Sequence, residues 1–282
     1  MMTGSVLHLT LWLHFHTKVF IPDSMALVSS LEDVFIDFVA IKEFDDKYSS
    51  VDFSQIWIVM AAYREAESIY QVIQSLPSSI NDINVTPLVV VDGEDDKTYE
   101  MAIEAKAYVA RAFTQRGQGA ALRIAYQIAL LRGARVIITV DGDGQCDPAD
   151  IASVAEPVLR DDADLVLGSR TRGSSENTDI VRNLGVKVFS RLISFLTGSY
   201  ITDTANPLRA MSGELAKYLV LEENQYQASE VILDALLGGF RVCERPAKMK
   251  ARYGGTSKKG KNLIYGLRYF RVVARTYLRE KK

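Results

Sequence analysis

Val136-Ile-Ile-Thr-Val-Asp-Gly-Asp-Gly-Gln145 is a run of β-branched residues that stops at two carboxylates, two glycines and an amide. The apolar part has no polar alternation, so it reads as a buried strand in a parallel sheet covered on both faces. If the chain stays extended beyond it, the period of two puts Asp141, Asp143 and Gln145 on one side, separated by glycines that let another group approach. Three hard oxygen donors on one edge suit Mg²⁺ or Mn²⁺ when substrate phosphates and water complete the coordination. The tip of a strand in an open α/β sheet is also where such folds hold ligands. A calcium EF-hand loop is excluded, because the sixth position is Cys146 rather than Gly and the twelfth is Ala152 rather than Glu. An acidic turn capping the helix that starts at Pro148 needs only one carboxylate, Asp147, and leaves the other two unexplained.

With 282 residues, 48% of them hydrophobic, the chain can bury one sizeable core with an appendage. Cys146 and Cys243 have no metal-ligand spacing and form no disulfide framework, as expected in a reducing compartment. The net charge of −2 hides a segregation. From Lys248 to Lys282 there are 12 Lys and Arg against one acid, which leaves 21 basic and 34 acidic residues for the rest. A basic tail on an acidic body points to an anionic partner. The body would repel a nucleic-acid backbone, so a membrane surface or a phosphorylated lipid is the better fit and nucleic acid is not expected.

The first 24 residues carry Val6-Leu-His-Leu-Thr-Leu-Trp-Leu-His-Phe-His16, apolar but too short to span a bilayer, and Met25 is an alternative start. Ser29-Ser-Leu-Glu32 predicts a capping box that opens an amphipathic helix through about Lys47. From Gln55 strand and helix patterns alternate. Pro87-Leu-Val-Val-Val91 leads into the acidic turn Asp92-Gly-Glu-Asp-Asp96, and two neighbouring strands that end in carboxylates predict a shared nucleotide crevice. Arg116-Gly-Gln-Gly119 opens a helix, where exposed N–H groups and the guanidinium could cradle an anion, although a plain loop explains a lone GxG about as well. Ser169-Arg-Thr-Arg-Gly173 reads as a polar loop with two guanidinium groups. Arg252-Tyr-Gly-Gly-Thr-Ser-Lys-Lys-Gly260 reads as a flexible basic loop built for phosphate. The final helix places Arg268, Arg271, Arg275 and Arg279 in one stripe opposite Leu267, Phe270, Val273, Ala274 and Tyr277. Two readings stand for it: docking on a bilayer through the basic groups, or covering the domain with its apolar face.

These residues resemble the family-2 glycosyltransferases of the GT-A fold, most closely the polyprenyl- or dolichyl-phosphate mannose synthase group, from about Ile56 to the C-terminus. Ala61-Ala-Tyr-Arg-Glu65 is similar to the family's P-x-Y-N-E, Asp92-Gly93 to its acidic turn, and Arg116-Gly-Gln-Gly119 to its K-G-x-G. Asp141, Asp143 and Gln145 match the D-A-D-x-Q metal motif, the most specific of these. Gly168-Ser-Arg170 resembles its G-S-R, Asp203 stands in the D-x-x-S-G-F-[RK] segment, and Arg252 to Lys258 resembles the acceptor loop. The chain departs from the pattern at Ala61, Arg64, Val91 and Ala205-Asn-Pro207, all of which bear on base and sugar recognition.

The resemblance implies an α/β, mainly parallel Rossmann-like sheet with flanking helices. Residues 1–50 would be an N-terminal extension and helix, 51–250 the GT-A domain, and 251–282 the basic acceptor loop and amphipathic helix. It implies an inverting, metal-dependent hexosyltransferase that carries mannose or glucose from a nucleotide-diphosphate sugar to polyprenyl phosphate, docked peripherally on the cytoplasmic face of the membrane. Donor contacts would come from Ala62, Tyr63, Glu65, Asp92, Arg116, Gly117, Gly119, Asp141 and Gly142. Acceptor phosphate would meet Arg170, Arg182, Arg252, Ser257 and Lys258, and Mg²⁺ or Mn²⁺ would sit on Asp141, Asp143 and Gln145. Asp143 would be a catalytic residue, and a hydroxyl acceptor would require a base, with Asp203 or Glu230 as candidates. The alternatives are a family-2 enzyme with a soluble or saccharide acceptor, and a nucleotide-sugar-binding or nucleotidyl-transfer protein.

Overall fold

The computed structural model describes residues 31–93, 97–176, 179–225, 227–251, 253 and 262–281. The apolar, histidine-bearing N-terminal stretch, Met25, most of the Ser29 capping box, and Arg252, Ser257 and Lys258 lie outside them.

Helix α1 (Leu31–Lys47) precedes β1 (Ile56–Ala62), α2 (Ile69–Ser75), the two-residue β2 (Ser79–Ile80) and β3 (Ile83–Asp92). Then follow α3 (Thr98–Glu104), β4 (Tyr108–Ala112), α4 (Gln118–Leu131), β5 (Val136–Thr139), α5 (Pro148–Leu159) and β6 (Leu165–Ser175). Helix α6 (Ile180–Thr197), β7 (Arg209–Ser212), α7 (Gly213–Tyr218), α8 (Gln227–Leu237), β8 (Val242–Met249) and α9 (Asn262–Glu280) complete the chain.

The sheet runs β4-β3-β1-β5-β7-β6-β8, with β2 on the far end of β3. Strands β4, β3, β1 and β5 are parallel, as the strand–helix alternation predicts. Their alternate residues separate into two cores. Trp57, Val59, Leu88, Val90 and Ile137 pack with α1, α4 and α8, while Ile56, Ile58, Val89, Val91 and Ile138 pack with α2, α3 and α5. Both faces are dry, and this is why the strands read as unbroken apolar runs.

Two features depart from the sequence reading. Strand β7 is inserted antiparallel between β5 and β6, so the sheet is mixed at this point. Ser169–Gly173 is not a loop; it continues β6, pairing with β8 on either side of a register shift between Ser169 and Ser174. Its exposed half looked like a loop because beyond Leu167 β6 pairs only with β8, and residues 171–175 have no apolar face to bury.

Helix α1 packs on the domain and contributes to its core: Ile36, Ala40, Ile41 and Phe44 are buried with Trp57 and Tyr126. Helix α9 also differs in facing. It buries Tyr269, Val272, Val273 and Thr276, and leaves Leu267, Phe270 and Leu278 exposed at 65%, 53% and 63%. The expected Arg stripe is divided: Arg275 pairs with Glu222 and Glu223, and Arg279 reaches Asp234 at 2.6 Å. Among the described residues no helix is long and apolar enough to cross a membrane.

Candidate active site

Three adjacent parallel strands bring the predicted donor residues to one edge: β1 ends at Ala62, β3 at Asp92, and β5 leads into the loop from Val140. Ala62 is buried, and Tyr63 carries the Arg64 guanidinium over its ring at 5.2 Å. Arg64 has φ +54°, a conformation that Asn adopts more readily than Arg.

Glu65 follows at once, its N–H bonded to Thr98 Oγ1 at 2.9 Å. The Ser68 hydroxyl lies within 2.8 Å of the Gly142 carbonyl and 3.2 Å of Glu65 Oε2, so the first motif and the acidic loop are joined through one side chain. Asp141 Oδ1 accepts a hydrogen bond from the Gln118 amide at 2.7 Å. Asp143 is 3% exposed, and its Oδ1 accepts the Gln145 N–H at 3.0 Å.

This loop is stapled to the chain that enters the basic loop. The Asp143 carbonyl accepts the Tyr253 N–H, the Gln145 carbonyl accepts the Lys250 N–H, and Cys146 bridges to Met249. Gly144, at φ +78°, is required twice over, since a Cβ there would also collide with the Tyr253 ring. The Gln145 amide nitrogen donates to the Lys250 carbonyl at 3.2 Å, which leaves the amide oxygen as its hard donor. Two carboxylates and one amide oxygen fit a hard divalent cation that takes its remaining ligands from a diphosphate and water. Among the described residues no group of three or more His, Cys, Asp or Glu is arranged to hold a metal ion.

Asp92 shows where the Gly-rich turn directs its amides. Its carboxylate, 3% exposed, accepts the N–H of Arg116 at 3.0 Å and of Gly117 at 2.6 Å. Burial pushes its pKa up, and the two amides and the Arg116 charge pull it back. Gly119 N–H donates to the Asn224 carbonyl at 2.8 Å. These amides, expected to cradle a ligand anion, are thus spent inside the protein. The Arg116 guanidinium is likewise committed, to Asp33 at 3.0 Å and Asp37 at 2.6 Å on α1. Nothing in the Arg116 stretch announced these partners, because they lie about 80 residues earlier in the chain.

Arg170 and Asp203 come together as a bidentate pair at 2.7 Å, and the Arg170 N–H and Ala205 N–H also donate to the same carboxylate. Arg170 reaches Met249 Sδ as well, beside the Cys146 bridge, which sets this pair next to the acidic loop. Arg182 lies on α6, and its side chain is outside the described residues.

Glu230 is placed elsewhere. Its two oxygens accept the N–H groups of Glu222 and Glu223, with Asp234 and Arg279 alongside, at the junction of α8 and α9. That geometry suits a structural anchor rather than a base. Burial pushes its carboxyl up to about 8 and that of Asp234 up to about 7, against the pull of Arg279 and the backbone amides. Both values exceed those of the unfolded chain, so these groups contribute stability below about pH 4 that is lost as pH rises through the folded values. The melting temperature is therefore expected to fall by about 3 °C or more between about pH 5 and pH 9, and Glu230→Gln to flatten that slope. A wild-type melting curve that rises over this range would contradict the assignment.

Comparisons with known proteins bear on the family and the fold. The family model described as glycosyl transferase family 2 matches residues 57–225. A UDP-N-acetylglucosamine–dolichyl-phosphate N-acetylglucosaminyltransferase of Methanococcus voltae is 28% identical over 76% of this chain and 93% of its own. A dolichyl-phosphate hexose transferase of Haloferax volcanii is 30% identical over 72% of this chain and 86% of its own. Among solved structures, glucosyl-3-phosphoglycerate synthase from Mycobacterium tuberculosis, in complex with Mn²⁺, UDP and phosphoglyceric acid, superposes with a TM-score of 0.61 at 18% identity. It covers 85% of this chain and 82% of its own, a likeness of GT-A fold.

Proposed function

The chain belongs to glycosyl transferase family 2, and from that membership we propose that it is an inverting hexosyltransferase acting from a nucleotide-diphosphate sugar onto a polyprenyl phosphate. The observation that carries this reading is that three parallel strands bring Glu65, Asp92 and the loop of Asp141 and Asp143 to one sheet edge, with that loop stapled to the root of the basic segment. In this reading Glu65 and Asp92 would face the nucleoside, Asp92 by holding the Arg116–Gly117 turn, and the acidic loop would face the diphosphate. Mg²⁺ or Mn²⁺ would be held by Asp141, Asp143 and Gln145, and the mycobacterial neighbour holds Mn²⁺ with UDP. Bound there, the cation would supply positive charge to the leaving diphosphate. Arg170, oriented by Asp203, would hold the acceptor phosphate, with Arg182, Arg252, Ser257 and Lys258 as further candidates. A phosphate acceptor is already anionic at neutral pH, so Asp203 has no proton to remove, and its commitment to Arg170 is compatible with that.

The relatives named for dolichyl-phosphate acceptors support a lipid acceptor, and so does the surface. Besides the exposed Leu267, Phe270 and Leu278 of α9, the neighbouring α6 exposes Val181, Leu184, Val188 and Phe195, the last at 85%. Lys187, Arg191, Arg268 and Arg271 are exposed on the same two helices. Apolar residues in an interfacial helix bury into the headgroup boundary while cations meet anionic lipid. The protein is expected to bind phosphatidylserine-containing liposomes at low salt, and Phe195→Glu with Leu267→Glu to weaken binding by roughly tenfold or more. Unchanged flotation of that double variant would remove these helices from the membrane contact.

The acceptor reading is tested by mass spectrometry with a panel of UDP- and GDP-sugars, with and without short-chain polyprenyl phosphate. A hexosyl-phosphoprenol product is expected. Transfer to a soluble saccharide alone would favour the soluble-acceptor alternative, and no transfer at all a binding role.

A further inference from the structure

Helix α1 lies outside the segment that defines the family, yet it supplies the counter-charge to two buried guanidinium groups inside that segment. Asp37, 2% exposed, accepts from Arg116 Nη2 at 2.6 Å through one oxygen and from Arg123 Nε at 2.7 Å through the other. Asp33 adds a second hold on Arg116 at 3.0 Å. Arg116 and Arg123 bracket the Gly-rich turn and the first turns of α4, so the one carboxylate of Asp37 fixes both ends of the stretch.

That stretch touches the donor residues directly. Arg116 and Gly117 give their N–H groups to Asp92, and Gln118 gives its amide to Asp141. On the other side Arg123 Nη1 reaches the Leu221 carbonyl and Asn224 Oδ1, and Asn224 accepts the Gly119 N–H. The turn is held between α1 and the 221–224 segment, with its ligand-facing partners on the third side.

The buried ionic group is poorly made as a stabiliser. Arg116 Nε and Arg123 Nη2 find no hydrogen-bond partner among the described residues, and apolar side chains of like size would often serve stability as well. The arrangement is better explained by the direction it imposes. We infer that Asp37 is a positioning residue of the donor site, through which α1 sets the Arg116–Gly119 turn against Asp92 and Gln118 against Asp141. This rests on the donor reading proposed above.

The test uses the full chain and calorimetric titration of UDP and of GDP in the presence of Mn²⁺, with thermal melting and liposome flotation recorded in parallel. Asp37→Asn keeps the side-chain volume and removes the charge. Arg116→Met cuts the link at its other end and leaves Asp37 paired with Arg123. Both variants are expected to weaken nucleoside diphosphate binding by roughly tenfold, the scale of one lost charge-assisted hydrogen bond, and to raise the apparent donor KM to match. Acceptor KM and flotation should stay within about twofold, a split that loss of stability alone would not give. If folded variants bind the nucleotide with wild-type affinity, or if donor and acceptor KM rise together, the inference is overturned. It is also overturned if neither variant folds, because the pair then serves only the core. A wild-type chain that binds neither UDP nor GDP would instead overturn the donor reading itself, and this inference with it.

Discussion

Asp143→Asn is expected to reduce glycosyl transfer by at least roughly a hundredfold, and towards a thousandfold, while the fold survives. The carboxylate is buried at a strand tip, and its acceptor role to the Gln145 N–H is one that an Asn Oδ1 can retain. The backbone of the loop is fixed independently, through the Tyr253 and Lys250 amides. What the substitution removes is negative charge on a hard oxygen donor. Steady-state turnover over a Mn²⁺ and Mg²⁺ titration, alongside a melting curve, checks this. Activity restored to the wild-type level at saturating Mn²⁺ would reject Asp143 as a metal ligand.

Asp203→Ala is expected to act in the opposite order, on stability first. The carboxylate, 1% exposed, takes two side-chain hydrogen bonds and one backbone hydrogen bond from Arg170, and the Ala205 N–H. Truncation leaves a guanidinium only 10% exposed without its bidentate partner, a loss of about 3–5 kcal/mol. That corresponds to a fall in melting temperature of about 10 °C. Turnover measured below the new melting point should show a raised acceptor KM, because Arg170 is no longer held. Adding Arg170→Ala should cost much less than the sum of the two single changes, since both break one pair. If Asp203→Ala melts like the wild type and loses only kcat, Asp203 is a base after all and the acceptor is a hydroxyl.

The particular elements show how far the residues spoke for themselves. The β5 run and its two carboxylates were legible because strand burial and the alternation of donors are both local, set by a period of two. The parallel direction of β3, β1 and β5 followed from the alternation of strand and helix, but the order did not: β1 lies between the strand that ends at Asp92 and the one that leads into the acidic loop, which had been expected to be neighbours. The first motif was legible as a resemblance even with Arg64 in it, whereas the left-handed backbone there, φ +54°, was not.

Other outcomes depended on partners distant in the chain. Arg116 reads the same whether it meets a ligand phosphate or Asp37, and only the packing of α1 against α4 decides between them. Arg170 and Asp203 were each candidates for separate tasks until the fold brought them within 2.7 Å. Helix α9 has apolar residues on more than one side, so its periodicity left open which side is buried, and the choice fell to Tyr269, Val272 and Val273 where Phe189 and α8 receive them. The sequence by itself determined the α/β class, the strand edge and the hard-oxygen loop, because these follow from backbone period and side-chain chemistry within about ten residues. The tertiary structure alone decided where each guanidinium goes, that β7 runs antiparallel, and which face of α9 meets solvent. A charge takes the partner that burial places beside it, and that partner is chosen by packing rather than by proximity in the chain.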